Sequence, residues 1–357
     1  MEYSVDDANK QIIIRTVVML VTAISAIIVF ALLIFIHELG HFSVAKMVDI
    51  KVHEFAIGMG PLLAKFKKGE TMYSIRALPI GGYVKMEGEE EASTDERAFR
   101  NRPLWARIAV IVAGAFMNLV LGFVIFIILT YMSGGIVEPV IGELMDNMPA
   151  QKAGLMPGDR IVKIDNTKIN IQDDIRFYLM YSKDKPIKIT VKRNGKILAP
   201  FEVTPEYSEE SQAYMLGYKA QVVEPTLMNT LSNSFYETIF YSKIVLFSLG
   251  ELITGRVGFN QMSGPVGIVK EIGTAASLGI APLLMLAALI SINLGVFNLL
   301  PIPALDGSKI FFLLVEGIRR KPIDPEKEGL VHMIGFAMLI LLMILVTFSD
   351  ITKLIGS

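Results

Sequence analysis

Cysteine is absent from all 357 residues, which excludes disulfides and thiolate metal sites and leaves His, Asp and Glu as the available ligands. An excess of one charge is missing too. The chain carries 34 basic and 35 acidic side chains, a net charge of −1, with no long unbroken basic patch, so nucleic-acid binding is set aside. Charged residues make up only 19% and hydrophobic residues 52%, which is too apolar for a string of soluble domains and reads as a membrane protein. The first apolar run lacks a small-residue cleavage site, so it is expected to be a retained span in the bilayer and not a removed signal peptide. Histidine is scarce, with four in the chain, and two of the four fall within one short motif.

That motif is Phe35-Ile36-His37-Glu38-Leu39-Gly40-His41, at the end of a run that otherwise belongs in lipid. On a helix of 3.6 residues per turn, His37 and His41 stand at i and i+4, so both imidazoles leave one face with Glu38 beside them. This is zinc-protease geometry. Two neutral imidazoles can bind Zn²⁺ near 2.0–2.1 Å, leaving room for a third ligand and for a water that the adjacent carboxylate can deprotonate. The bland alternative makes both histidines polar groups satisfied inside a helix bundle.

In chain order, Val17 to Ile36 is long enough to span, and His37 to Lys46 prolong the same helix. Residues 47–103 hold many Lys and Arg in a loop short enough for the positive-inside rule, so this loop is expected on the cytoplasmic side. Within it, Val52–Ile57, Leu62–Phe66, Met72–Ala77 and Tyr83–Met86 read as short strands with turn signals at Lys68-Gly69-Glu70 and Gly81-Gly82. The acidic stretch from Glu87 to Glu91 reads as a solvated loop. Ile108 to Met132 is a second span, where Gly114 and Asn118 at i and i+4 face another helix, the amide read as packing glue ahead of a site residue.

From Gly134 to about Pro205 the composition becomes that of a soluble domain. Ile141-Gly142-Glu143 and Pro149-Ala150-Gln151-Lys152-Ala153-Gly154-Leu155-Met156-Pro157-Gly158-Asp159-Arg160-Ile161 resemble a PDZ domain, which implies a groove where an extended peptide adds as a strand. Leu227, Leu231, Phe235 and Ile239 recur every fourth residue opposite Asn229, Asn233 and Glu237, suggesting an amphipathic helix, with Ile244 to Ile253 interfacial behind it. Ser263 to Ile268 is expected to be a loop. Ala281 to Leu305 is the third apolar run, but Pro301 and Pro303 must open its helix and free backbone groups near Asp306. Gly329 to Phe348 supplies a fourth span.

Span parity brings these pieces together. If the 47–103 loop is cytoplasmic, the first and third spans both end at the cytoplasmic face, and Asp306 stands at the depth of His37 and His41 as a candidate third ligand. A carboxylate at the centre of a span costs about 2.5–3.5 kcal/mol, so a partner for Asp306 is expected.

His37-Glu38-Leu39-Gly40-His41, Gly81-Gly82-Tyr83-Val84-Lys85-Met86 and Asn298-Leu299-Leu300-Pro301-Ile302-Pro303-Ala304-Leu305-Asp306-Gly307, with the PDZ-like segment between them, resemble the site-2 proteases over nearly the whole chain, most closely the bacterial regulator of sigma-E protease branch. The resemblance implies one Zn²⁺ per chain held by His37, His41 and Asp306, Glu38 as general base, and Asn298 holding substrate near the metal. It places Gly81, Gly82, Tyr83, Val84, Lys85 and Met86 in a membrane-reentrant β-loop, for which substrate pairing along the strand edge is expected. Two departures stand out: Ser308 where the family often has glycine, and a single PDZ-like domain where it often has two.

The expected architecture is thus a polytopic α-helical membrane protein of about four transmembrane helices, with a cytoplasmic-side membrane-associated β-loop and one inserted extracytoplasmic PDZ-like domain. Its expected parts are a first transmembrane helix with the zinc motif (1–47), the β-loop (48–103), a second helix (104–133), the PDZ-like domain (134–205), and an extracytoplasmic linker with an amphipathic helix (206–280). A third segment with the Asp ligand (281–318) and a cytoplasmic loop with the fourth helix (319–357) complete it. The implied activity is intramembrane endoproteolysis of single-span membrane proteins in a bacterial cell membrane after a prior cleavage, with anti-sigma factors and signal-peptide remnants as the substrate classes. A peptide or protein ligand of the PDZ-like domain and the lipid bilayer are the other expected partners. The rivals are a non-proteolytic PDZ-containing adaptor and an ion or proton transporter, but neither explains Glu38 beside two histidines, and the halves show no repeat symmetry.

Overall fold

The computed structural model describes residues 5–89, 91, 93–258 and 262–355; Glu90 of the acidic stretch and residues 259–261 of the linker lie outside the described residues. Residues divide into two compact units, the first up to Ile125 and again from Ser242, the second Phe126–Tyr241.

In the first unit, helix α1 (Val5–Met47) contains the first apolar run. It ends where Asp49 adopts a positive φ of 57°. There the Ile50 N–H reaches the Ala45 carbonyl at 2.8 Å and the Asp49 N–H that of Lys46 at 3.2 Å, a Schellman closure that satisfies the helix's last carbonyls. Strands β1 (Val52–Lys68) and β2 (Thr71–Met86) follow, joined at Gly69. They pair antiparallel in two parts, Val52–Ile57 against Gly82–Met86 and Leu62–Lys68 against Thr71–Arg76, while Glu54–Ile57 also lies beside Met72–Ile75. The four short strands expected from the turn signals are these segments of one folded hairpin. Its turn is tied to α1 through Glu70, which meets Lys46 Nζ at 2.6 Å and Arg97 Nη1 at 2.8 Å. Arg97 and Lys46 together hold the Glu70 carboxyl down to about 2.

Helix α2 (Leu104–Ser133) begins in this unit. Val84 and Met86 of β2 pack with Ala45, Ile50, Phe55, Val110, Ile111 and Leu313, so the hairpin, α1 and α2 share one apolar core.

The second unit carries a sheet in the order β11-β3-β4-β6-β7, with β5 beside β4 and β8 beside β6. Its strands are β3 (Ile136–Leu144), β4 (Arg160–Ile164), β5 (Thr167–Lys168), β6 (Ile187–Arg193), β7 (Lys196–Ile197), β8 (Phe201–Val203) and β11 (Tyr218–Val223), with a separate hairpin of β9 (Glu206–Ser208) and β10 (Ala213–Met215). Helices α3 (Pro149–Lys152) and α4 (Gln172–Ser182) pack with them. Ile141, Leu155, Ile161, Ile164, Ile175, Ile187, Ile189 and Leu216 are sealed in its core, each contributing about 1.5–3 kcal/mol by burial. Asp159 is fully buried, and its charge is met by Arg193 at 2.6 and 2.7 Å and by the Met156 N–H at 2.9 Å. The sheet continues to Val223, beyond residue 205, because β11 pairs with β3.

Helix α5 (Leu227–Ile253) is one continuous helix of 27 residues, where an amphipathic helix and a separate interfacial stretch were expected. Residues 265–268 are not a loop: they open helix α6 (Pro265–Leu278). Pro265 is at the first helical position, where its missing N–H costs nothing, and Asp350 Oδ2 accepts the Gly267 N–H at 2.7 Å. Helix α7 (Ile280–Leu299) stops before Pro301, helix α8 (Asp306–Arg319) starts after Pro303, and helix α9 (Pro325–Ile355) closes the chain. Among the described residues, four helical stretches are long and apolar enough to cross a bilayer: Thr16–Met47, Leu104–Ser133, Ile280–Leu299 and Glu326–Lys353.

Candidate metal centre

His37 and His41 leave one face of α1, and the broken segment after α7 delivers Asp306 to them. His37 Nε2 lies 3.1 Å from Asp306 Oδ2 and 3.1 Å from His41 Nε2, and His41 Nε2 lies 3.4 Å from Asp306 Oδ2. Three possible ligand atoms at that spacing match the edges of a tetrahedron with bonds of 2.0–2.1 Å, whose edge is about 3.3 Å. The donor set therefore fits Zn²⁺. Among the described residues, these three form the one grouping of His, Cys, Asp or Glu that could hold a metal.

Proline chemistry brings Asp306 here. With α7 ended, residues 300–305 run irregularly, Ala304 takes a φ of 72°, and the chain restarts as a helix at Asp306 itself. Gly307 permits this tight return, since a Cβ there would lie 2.5 Å from the Leu300 carbonyl carbon and collide with its oxygen.

Helix α2 forms the floor of the site. Gly114 packs under both rings: an added Cβ would lie 2.6 Å from His41 Cε1 and 2.9 Å from His37 Cε1, and would collide with His41 Nε2. The opposing Gly40 on α1 is equally closed: an added Cβ would lie 2.7 Å from the Ala113 carbonyl carbon. One turn before Gly114, the Val110 carbonyl accepts from His41 Nδ1 at 2.8 Å. One turn after it, the Asn118 side chain meets His37 Nδ1 at 3.3 Å. The sequence alone left Asn118 as packing glue and did not reach Val110; their spacing with Gly114, four residues apart on one helix face, was the available signal.

The other expected site residues are distributed unevenly. Gly82 lies against the motif, where a Cβ would stand 3.0 Å from Glu38 Cγ. Gly81 has a φ of 83° beside it. Tyr83 has the Arg76 guanidinium over its ring at 5.2 Å, Val84 and Met86 point into the core, and Lys85 is exposed. Asn298 is half-buried near the end of α7.

Two histidines and a glutamate on a helix of membrane-spanning length, with an aspartate brought to metal-binding distance of both rings, have the chemistry of a membrane-embedded metallopeptidase. The model of peptidase family M50 matches residues 25–342. A Clostridium acetobutylicum protein with a provisional zinc-metalloprotease name is 46% identical over 91% of this chain and 96% of its own length. The zinc metalloprotease RasP of Geobacillus kaustophilus is 34% identical over 92% and 97%, and the regulator of sigma-W protease RasP of Bacillus subtilis 35% identical over 93% and 99%. The chain belongs to peptidase family M50, the site-2 proteases. It is an integral-membrane zinc metallopeptidase of regulated intramembrane proteolysis, which removes the adaptor and transporter alternatives.

Proposed function

We propose that His37, His41 and Asp306 hold the zinc ion and that Glu38 is the general base for cleavage within the membrane-spanning segments of single-span proteins. The observation that carries this reading is the convergence of two Nε2 atoms and one Oδ2 within 3.4 Å. When bound, zinc polarises the scissile carbonyl and acidifies water. Glu38 then takes a proton from the attacking water and holds it on its carboxylate for the departing amide nitrogen. Asp306→Asn keeps the shape but loses the charge that favours Zn²⁺. Its zinc content should fall under chelator challenge while the wild type keeps one ion per chain; unchanged stoichiometry would assign the third ligand elsewhere.

Substrate presentation is the second part of the reading. Backbone hydrogen bonds shield the carbonyls of a transmembrane helix, so the substrate must unwind locally. The strand Gly82–Met86 has β1 on one side and, among the described residues, no strand on the other. That free edge beside Glu38 supports pairing with an unwound substrate, with Gly81 to Met86 as its contact residues and Asn298 holding the chain near the metal. The second unit is read as the PDZ-like domain. β11 is an edge strand, and a groove of about 810 Å³ lies between α4 and Leu216–Ala220, lined by Ile175, Leu179 and Tyr218; this supports capture of an extended peptide. Photoreactive groups at Lys85 and at Met180, both exposed, should crosslink to a substrate trapped by an inactive variant. Failure at Lys85 overturns edge pairing, and failure at Met180 overturns the groove.

The substrates are read as membrane proteins already shortened by an earlier cleavage, with anti-sigma factors and signal-peptide remnants as the classes, in a bacterial cell membrane. The basic 47–103 loop favours a cytoplasmic active-site end and an extracytoplasmic PDZ-like domain. With no native cysteine, a single Cys at exposed Lys196 should react with an impermeant thiol reagent in intact cells, and one at exposed Lys68 should not. The reverse pattern would invert the orientation.

A further inference from the structure

A histidine that binds a metal through Nε2 carries its proton on Nδ1, and the acceptor of that proton fixes the ring's tautomer and angle. For His41 the acceptor is the Val110 carbonyl. Among the described residues, no main-chain carbonyl takes that role for His37; its Nδ1 faces the side-chain amide of Asn118, which is 1% exposed. With the amide nitrogen turned toward the ring at 3.3 Å, two donors would oppose each other once Nε2 is on the metal, and the amide oxygen is buried without a partner among the described residues. Amide oxygen and nitrogen exchange places by a half-turn about χ2. One end of the amide lacks a partner in either orientation, but only the turned one suits a metal-bound ring, with Oδ1 accepting from Nδ1–H.

We infer that Asn118 is a positioning residue of the zinc site, its side-chain oxygen holding His37 as the Nδ1-protonated tautomer with Nε2 aimed at the metal. The same residue is anchored from its other side. The Ser291 hydroxyl of α7 donates to the Asn118 carbonyl at 2.7 Å, and Gly295 lies so close to α2 that a Cβ would stand 2.9 Å from the Ala115 carbonyl. Asn118 thus sits where α2 is fixed against α7, the helix that leads to Asp306. It gives the His37 ring a buried reference point independent of solvent.

The inference rests on His37 being a zinc ligand, and the test separates the two. Zinc affinity is measured on the purified full chain in detergent by competition with a chromophoric chelator, alongside thermal unfolding of the metal-free protein. Asn118→Leu, similar in size but without an acceptor, should bind zinc about 10–100-fold more weakly. Asn118→Asp restores an oxygen facing Nδ1–H and should bind within a few-fold of wild type or more tightly. Ser291→Ala removes the helix-to-helix hydroxyl but leaves the acceptor on the ring, and should weaken zinc binding far less than Asn118→Leu. Wild-type affinity in Asn118→Leu, or equal weakening in Asn118→Leu and Asn118→Asp, overturns the acceptor role; weakening by Ser291→Ala to the same degree overturns it in favour of packing. If Asn118→Leu fails to fold, Asn118→Ala replaces it under the same criteria. Undiminished zinc binding in His37→Ala would instead overturn the ligand assignment itself.

Discussion

Glu38→Gln should lower the rate of substrate cleavage by about 10²–10⁴-fold, the usual contribution of a positioned general base, while the purified variant keeps its zinc. The substitution preserves the side chain's length and planarity, so Gly82, which leaves no room for a Cβ 3.0 Å from Glu38 Cγ, still packs against it. It removes the ability to take a proton and nothing from the ligand set. Cleavage of a membrane-embedded substrate in proteoliposomes, read against metal analysis of the same sample, measures both halves. Turnover near wild type would dismiss Glu38 as the base; loss of zinc along with activity would place Glu38 among the ligands.

Gly114→Ala should be nearly as damaging by a different route. Its methyl would overlap the His41 ring and lie 2.9 Å from His37 Cε1, and neither ring can swing away without giving up its Nδ1 contact to Val110 or Asn118. A displacement near 1 Å in such a constellation costs about 10²-fold in rate, so chelator-resistant zinc and cleavage should fall together. Gly250→Ala is the control, since a Cβ there meets nothing within 4 Å and alanine favours a helix by about 1 kcal/mol. A Gly114→Ala variant with wild-type zinc affinity would mean that α2 yields to the rings more readily than its packing suggests.

Legibility in the sequence followed the range of the interactions. The pair His37 and His41 is a local i, i+4 feature, and the hairpin announced itself through Lys68-Gly69-Glu70, so both were readable directly. Asp306 is 269 residues from His37, yet Pro301 and Pro303 marked the helix break and span parity supplied the depth. What escaped depended on partners far away in the chain. Pro265 and Gly267 look like loop punctuation until Asp350, 83 residues beyond Gly267, is seen to accept the Gly267 N–H in the first turn of a helix. Residues 206–223 read as linker because nothing local says that Tyr218–Val223 pairs back onto Ile136–Leu144. Asn118 resembled any amide between packed helices, since its meaning comes from the ring it faces.

The separation of 269 residues between His37 and Asp306 also sets a clock. At 5–20 residues per second of synthesis, roughly 13–54 s pass between the two residues leaving the peptidyl-transferase centre. Through that interval the nascent chain holds both histidines and Glu38 but lacks the carboxylate that would complete the proposed donor set. With Asp306 as the third ligand, as proposed, such a protease would be inert while it is being made and would gain its hydrolytic power only once its third apolar segment is delivered to the bilayer.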